Sequence, residues 1–508
     1  MAVAGAGLAA TLWFASRGSV YLLMTLVQPR WLWALFGVNL AVLLLRVAAV
    51  ADAYALERRL RPGPQPGRGW PARLLLVLLI AAVVVPHAVL ADYSLTAIDT
   101  LHAVFAQGEL PSLEEREQAL LSLGLSEEDL GPTATLAPTI LTNVGPHWAI
   151  EHWLPESDLN PVEPVIVPRE ANSYDAPFPS VEENLDKDRL TVLLAGGDAG
   201  PGRWSMRTDV MIVATMNLAT GKVVLFSVSR DMVNAPLPAG WANSFVDMEY
   251  QQVVEQAQAQ GVDPPPRESF QGCKCFPDRI NGIWTFTNTW VRTFPDAIDP
   301  GMEALRQTLS LLLGIHIDYY VLVDMAGFVD LVDALGGIDL YVTETMDVAF
   351  SPAREGENPV AVTVLEPGNY HFDGHQALAF VRNRTNTNDA ARMRRQRCTI
   401  RALAAETEPV TLALRFPQIA QAVRDSTVTN IPLSFLPDLI QYAADLDYSD
   451  IATVVFGYPY YAPELNYRNL PIVDPDRIRA KVQSAIAAVE TAEGAARLAE
   501  TCEVLPAR

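Results

Sequence analysis

Lysine is almost missing from this chain of 508 residues: it occupies only positions 187, 222, 274 and 481, while arginine is common. That skew follows overall composition and carries no functional argument by itself. Positive charge is also in deficit, with 37 Lys and Arg against 59 Asp and Glu and a net charge of -22 at pH 7. Nucleic-acid binders need a basic footprint, so a nucleic-acid partner is not expected. Cysteine is scarce, at four. No histidine stands near Cys273 at finger spacing, which argues against a structural zinc module. The chain has no Walker phosphate loop, no dinucleotide fingerprint followed by a helix, and no internal repeat.

The positive charge that is present is concentrated. Seven arginines fall within residues 382–401, in the stretch VRNRTNTNDAARMRRQRCTIR. A guanidinium is planar, permanently charged and matched to pairs of phosphate oxygens. A cluster of them suits a multiply charged anion such as a pyrophosphate, and a solvated basic helix face is the plainer alternative.

Apolar runs concentrate in the first hundred residues. Residues 31–50 are broken only by Asn39 and Arg46, and residues 74–90 carry Pro86 and His87 near one end. Both approach the roughly 20 residues that cross a hydrocarbon core. Residues 8–27 form a weaker candidate, with Arg17 at an insertion cost of roughly 2.5–3.5 kcal/mol. Between the two strong runs lie Arg58, Arg59, Arg61, Arg68 and Arg73, and short arginine-rich loops stay in the cytoplasm. The expectation is a multi-pass cell-membrane protein with three spans, a cytoplasmic N-terminus, no cleaved signal peptide, and everything beyond about Asp92 outside.

On that oxidising side four cysteines allow three pairings. Cys273 with Cys275 would close a very tight ring. Cys398 with Cys502 would tie the arginine helix to the C-terminal region, and free buried thiols remain the alternative.

The chain divides into a membrane region, 1–92; a stalk or accessory region, 93–188; an α/β domain, 189–490; and a tail, 491–508. Within the accessory region, 112–130 reads as helical and 132–179 as an extended, proline-rich connection. From Arg189 strands alternate with helices. Strands are expected at 189–195, 209–216, 222–228, 318–323 and 338–342. Helices are expected at 301–313, 326–335, 375–381, 390–404, 411–423, 435–444 and 476–492. The class is α/β, a mixed central sheet flanked by helices.

Several motifs bear on chemistry. GGDAGPGR at 196–203 follows a strand, and such a turn cradles phosphate with backbone N–H groups or is simply a turn. Arg207 and Asp209 follow in MRTDVMIV. If the loop folds back, Asp198 and Asp209 lie side by side, where a cation would relieve their repulsion. Arg230 and Asp231 end a strand, at the carboxyl edge where α/β sheets place ligands. Arg382 and Arg384 alternate, and Asp389 is positioned as an N-cap. Arg392, Arg395 and Gln396 share one helical face, while Arg394, Arg397 and Arg401 point elsewhere, to solvent or structure.

Taken in order, LLAGGDAGPGR, RTDVMIV, SVSRDM, GIHIDYYVLVDMAGFVDLVDALGGIDLYV and HFDGHQALAFVRNR...DAARMRRQR resemble the LytR-CpsA-Psr family over about residues 189–405, extending to about 490. The resemblance implies a membrane-anchored extracytoplasmic phosphotransferase. Such an enzyme moves a glycopolymer from a polyprenyl-pyrophosphate carrier to a peptidoglycan hydroxyl. It implies magnesium, or manganese, on Asp198 and Asp209; pyrophosphate on Arg230, Arg382, Arg384, Arg392, Arg395 and Gln396; and an acidic residue ahead of the arginine helix at Asp389, a candidate base. The Lys-Ile-Asn motif appears as Arg279-Ile280-Asn281, which with Arg207 would contact acceptor or substrate. Ser229, Ala391 and Asn386-Thr387 also depart from the family pattern. An apolar tunnel for the lipid is implied, with Leu311, Leu312, Leu313, Ile315, Phe328 and Leu331 on helices able to line it. Trp284, Phe286 and Trp290 are candidates for its mouth or for contact with sugar. The rivals are a lipid-pyrophosphate hydrolase and a non-catalytic lipid-binding regulator of the envelope; two retained acids favour catalysis.

Overall fold

The computed structural model describes residues 19–60, 70–105, 165–166, 189–198, 206–237, 246–270, 275–292, 297–350, 360–383, 389–405, 409–424, 426–444, 446, 451–466, 468–498 and 502. The helix expected at 112–130 lies outside them. So does the connection at 132–179, apart from the two-residue strand Val165–Ile166.

The centre is a six-stranded mixed sheet of β1 (Arg189–Gly197), β2 (Thr208–Asn217), β3 (Val223–Val228), β4 (Tyr319–Asp324), β5 (Thr427–Thr429) and β6 (Ala452–Phe456). The order is β5-β4-β1-β2-β3-β6. β1, β2 and β3 form an antiparallel meander. β4 runs parallel to β1 and β6 parallel to β3. Alternate residues of a strand face opposite sides, and both sides are covered. Leu193, Ala195, Val213, Val224 and Phe226 enter the main core. Leu194 and Val210 face the other way and line a cavity.

In chain order the helices are α1 (Ser19–Leu26), α2 (Pro29–Leu60), α3 (Trp70–Val104), α4 (Val246–Gln260), α5 (Ile283–Trp290), α6 (Pro300–Leu313), α7 (Met325–Leu335), α8 (Gly374–Arg382), α9 (Asp389–Ala405), α10 (Pro409–Arg424), α11 (Leu436–Ala444), α12 (Pro475–Val489) and α13 (Ala492–Leu498). α5, α6, α12 and α13 pack on the main-core face. α6 begins where the sequence puts its signals. Asp299 accepts the Met302 N–H at 2.9 Å, Pro300 takes the first turn, and Gly314 ends the helix in the left-handed conformation. α7 starts on the Asp324 cap, which accepts the Gly327 N–H at 2.6 Å. It stops at Gly336, with φ 93°. On the second face α7 and α8 share an apolar cluster with the short strands between them in the chain, and α9 closes over the sheet beside them.

α2 and α3 are antiparallel neighbours, and each holds a stretch long and apolar enough to cross a membrane: Pro29–Ala53, mean hydropathy 2.2, and Val77–Val104, mean hydropathy 1.9. The polar interruptions in these runs are one another's partners. Asn39 Nδ2 donates to the His87 carbonyl at 2.7 Å. His87 Nδ1 lies 2.5 Å from Asn39 Oδ1, and Arg46 Nη1 lies 3.3 Å from His87 Nε2. Pairing of this kind is how polar groups are accommodated between apolar helices.

Of the third expected span, residues 8–18 lie outside the described residues, and 19–26 form α1. Its Leu23 packs with Leu32 and Leu101 and against Leu433, Leu436 and Ile440. α3 runs unbroken through residue 92, where a domain boundary was expected. Its last turns pack on α10 and β5, and Asp99 is ion-paired with Arg424. The end of α3 therefore docks onto the β5 edge of the sheet.

Candidate active site

The hairpin of β1 and β2 brings the two acids together. A Cβ on Gly196 would stand 2.9 Å from Val210 Cβ, and one on Gly197 would stand 2.7 Å from Met206 Sδ. Glycine is what lets these backbones approach. The register shifts between Gly196 and Gly197. Beyond the shift the Arg207 carbonyl accepts both the Asp198 N–H, at 2.7 Å, and the Asp209 N–H, at 3.0 Å. One carbonyl thus fixes both acid-bearing backbones, as the fold-back of the loop required.

Each carboxylate then meets an arginine. Arg382, from the end of α8, reaches Asp198 at 3.1 Å. Arg230, just past β3, contacts one oxygen of Asp209, while Asn281 Nδ2 donates to the other at 2.8 Å. Arg279 Nε lies 3.3 Å from Asp231 Oδ1, and Arg230 Nε is 3.9 Å from the same oxygen. Asp209, Arg230, Asp231 and Arg279 make an alternating row along the carboxyl edge of the sheet. Arg279 and Asn281, expected to touch acceptor or substrate, sit among these residues; Asn281 orients Asp209.

Asp198, Asp209, Arg230, Arg382, Arg392 and Gln396 line the polar end of one cavity of about 400 Å³. Most of the rest of its wall is apolar, Leu194, Val210, Val321, Val323, Phe328, Leu331, Leu378, Val381, Ile400 and Leu403, with Asp324 and Thr399 as further polar lining residues. On α9 the lining residues recur every three or four positions, from Arg392 and Gln396 at the charged end to Ile400 and Leu403 at the apolar end. Of the six lipid-lining candidates in the sequence, Phe328 and Leu331 do line this cavity. Leu312 and Leu313 are in the main core beyond the sheet, with Ile315 against it, and the Leu311 carbonyl accepts from Arg479 at 2.9 Å. Helical periodicity reveals an apolar face without saying which side of the sheet it meets. The strand contributors were overlooked, although Leu194, Gly196 and Asp198 alternate onto one face. Trp284 is buried and donates to Asp299 at 2.9 Å, and Phe286 packs on the main core. Neither forms a mouth, and the side chain of Trp290 lies outside the described residues.

The arginines of α9 divide by face. Arg392 is buried in the cavity wall. Arg395 turns away: its Nε donates to the Phe380 carbonyl at 3.0 Å and its Nη2 to the Asn383 carbonyl at 2.5 Å. Burial, with Arg392 close by, lowers its pKa, and Glu344 counters this. It braces the end of α8 that carries Arg382. Arg397, left as solvent or structural, is buried and donates to Ser227 Oγ on β3 at 3.3 Å. Asp389 opens α9, its side chain lying outside the described residues, as does Arg384. Cys398 and Cys502 are joined, with Cα atoms 5.5 Å apart. Cys275 is disulfide-bonded too, so the free-thiol reading fails for the described cysteines.

A family model for the LytR_cpsA_psr family matches residues 167–459. The chain belongs to the LytR_cpsA_psr family. Among curated relatives it is 27% identical over 266 residues to biofilm regulatory protein A of Streptococcus mutans, covering 51% of this chain and 54% of that one. It is 27% identical over 314 residues to the probable cell wall biosynthesis protein LcpB of Corynebacterium glutamicum, covering 60% of each. It is 24% identical over 255 residues to the polyisoprenyl-teichoic acid--peptidoglycan teichoic acid transferase TagU of Bacillus cereus, covering 50% of this chain and 64% of that one. The chain thus spans between 54% and 64% of the length of these three relatives. Among solved structures of the LytR_cpsA_psr type, TagV of B. subtilis aligns over 59% of this chain and 97% of that one, at 21% identity and a TM-score of 0.40.

Proposed function

We propose that this protein is a membrane-anchored transferase that moves a glycopolymer phosphate from a polyprenyl-pyrophosphate carrier to a hydroxyl of peptidoglycan. The observation that carries the reading is the cavity with a charged end and an apolar body. A pyrophosphate with a long hydrocarbon tail has the same two parts in the same order. The teichoic acid transferase named among the relatives supports the substrate class.

The chain's residues would act by charge and position, which is most of what phosphoryl transfer asks of a protein. Arg392, Gln396, Arg382 and Arg230 hold the two phosphates at the mouth. The tail lies along Phe328, Leu331, Ile400 and Leu403. An acceptor hydroxyl forms a new P–O bond at the phosphorus next to the glycan. The P–O bond to the second phosphate breaks, so polyprenyl monophosphate leaves and the hydroxyl proton is lost to a base. Arg384 and Asp389 are further candidates, for phosphate and for base.

Two carboxylates in one polar corner, with no group of three or more His, Cys, Asp or Glu among the described residues, fit an ion completed by phosphate oxygens and water rather than by protein alone. Asp198 and Asp209 would hold magnesium or manganese, which supplies positive charge to the leaving phosphate. Two spans, with the arginine-rich 58–73 loop inside, would make the protein multi-pass and place the cavity outside the cell.

The test is turnover of synthetic lipid-linked sugar by the purified full chain, with and without peptidoglycan fragments. Polyprenyl monophosphate released only when acceptor is present supports transfer. Release without acceptor identifies a hydrolase, and lipid binding without release identifies a binding protein.

A further inference from the structure

We infer that residues 457–461 form a saccharide-stacking subsite for the acceptor glycan strand, with Tyr458 and Tyr460 as its rings. The inference rests on the transfer reading and adds the place where the second substrate is held. Outside α2 and α3, the large exposed apolar side chains among the described residues are Val262, Val364, Tyr458, Tyr460 and Leu465. Three of these five fall within eight residues, and the two tyrosines are 60% and 65% exposed. Such rings combine a broad apolar face with a polar rim and little conformational freedom. That chemistry matches a pyranose, whose C–H face stacks on a ring while its hydroxyls hydrogen-bond around it.

The loop is held from beneath while both rings stay more than half exposed, that of Tyr460 meeting the Tyr461 ring edge-on with centroids 4.8 Å apart. Tyr461 packs edge-on against Phe456, with centroids 4.9 Å apart, and Phe456 stacks on Phe226 in the core. The Tyr461 N–H donates to the Gly457 carbonyl at 3.0 Å, and the Asp474 N–H donates to the Tyr461 carbonyl at 3.0 Å. Arg477 donates to the Tyr460 carbonyl at 2.8 Å and lies 5.5 Å from the centroid of its ring. A backbone braced in this way loses little freedom when a ligand docks.

Position selects the ligand. The Ser229 N–H donates to the Phe456 carbonyl at 2.9 Å, so the loop begins beside the residue that precedes Arg230. β6 is the sheet edge opposite β5, where the end of α3 docks. Five inter-strand spacings of roughly 4.8 Å separate the two edges by about 24 Å. A lipid surface is thus a poor match for these tyrosines. In-line transfer brings the nucleophile from the side opposite the leaving group. The lipid phosphate leaves toward the apolar cavity under β1 and β4, which puts the acceptor on the β3–β6 side.

The test compares wild type with Tyr458→Ala, Tyr460→Ala, the double variant and the matching Tyr→Phe variants, as full chains in detergent. Acceptor is varied as peptidoglycan oligosaccharides. The expected result is a rise of about tenfold in acceptor KM for the double alanine variant, with donor KM and kcat unchanged, and near-wild-type values in the phenylalanine variants. An unchanged acceptor KM overturns the inference. A shift in donor KM instead assigns the rings to the donor glycan, and loss of vesicle binding assigns them to the membrane; both overturn it. If wild type makes no transfer product, the function reading fails by itself. Direct titration with the same oligosaccharides then decides the subsite: weaker binding by the double alanine variant upholds it, and equal binding overturns it.

Discussion

Asp209 is held by Arg230 on one oxygen and by Asn281 on the other. Asp209→Asn keeps its shape and removes the charge, so turnover is expected to fall by roughly a hundredfold or more with the circular dichroism spectrum unchanged; normal kcat would remove Asp209 from the account. The arginines of α9 give a second contrast. Arg392→Ala should weaken binding of a lipid pyrophosphate by roughly 1.5–3 kcal/mol in a direct titration, lysine should rescue it poorly, and Arg401→Ala should bind nearly as wild type. Arg397→Ala should instead lower thermal stability, by about 2 kcal/mol or more, because a large buried side chain is removed. Helical spacing puts Arg392 and Arg401 on different faces, and of the two Arg392 lines the cavity. Spacing also groups Arg395 with Arg392, since neighbours within three or four residues share a face, and cannot show that the Phe380 and Asn383 carbonyls draw Arg395 to the other side. Arg397 was opaque for the same reason: its partner, Ser227, is 170 residues away.

The β1–β2 hairpin and α9 carry most of the site, and both were legible as elements. Strand 189–195 proved to run to Gly197, and helix 390–404 to start one residue earlier and end one later. Alternation, caps and the Gly336-Gly337 stop are local signals, and they placed the helices from α6 to α12 within a few residues. β5 and β6 were not found, because three to five residues among helices carry little pattern, and strand order depends on long-range pairing that no local signal encodes. The glycine at 196 makes a sharp prediction at this scale. Gly196→Ala should clash with Val210 and lower Tm, and Val210→Gly, which removes the Cβ that the new methyl meets, should restore part of the loss in the double mutant; additive losses would mean that the close approach does not control the hairpin. The Cys398–Cys502 bond encloses 104 residues of sequence and is attached to the arginine helix. Its removal in Cys502→Ser should lower unfolding free energy by roughly 2–5 kcal/mol in denaturant titration, and an unchanged midpoint would contradict the tie.

Across one sheet the parts fall in line: the long apolar helices at the β5 edge, an apolar cavity under β4 and β1, a charged mouth at the carboxyl ends of β1 and β3, and exposed tyrosines beyond β6. Composition announced the long apolar helices and the arginines. It gave no hint that α3 continues past residue 92 to dock on α10, since that contact joins distant segments: Asp99 pairs with Arg424, 325 residues away. The central claim is that the cavity holds a polyprenyl chain with its phosphates at Arg392 and Arg230. Native mass spectrometry of the full chain purified from membranes tests this most directly. The account predicts a polyprenyl phosphate or pyrophosphate retained by wild type, depleted in Arg392→Ala, and depleted in Leu403→Trp, which fills the apolar end. Finding no polyprenyl lipid on wild type, or equal amounts on all three proteins, would contradict it.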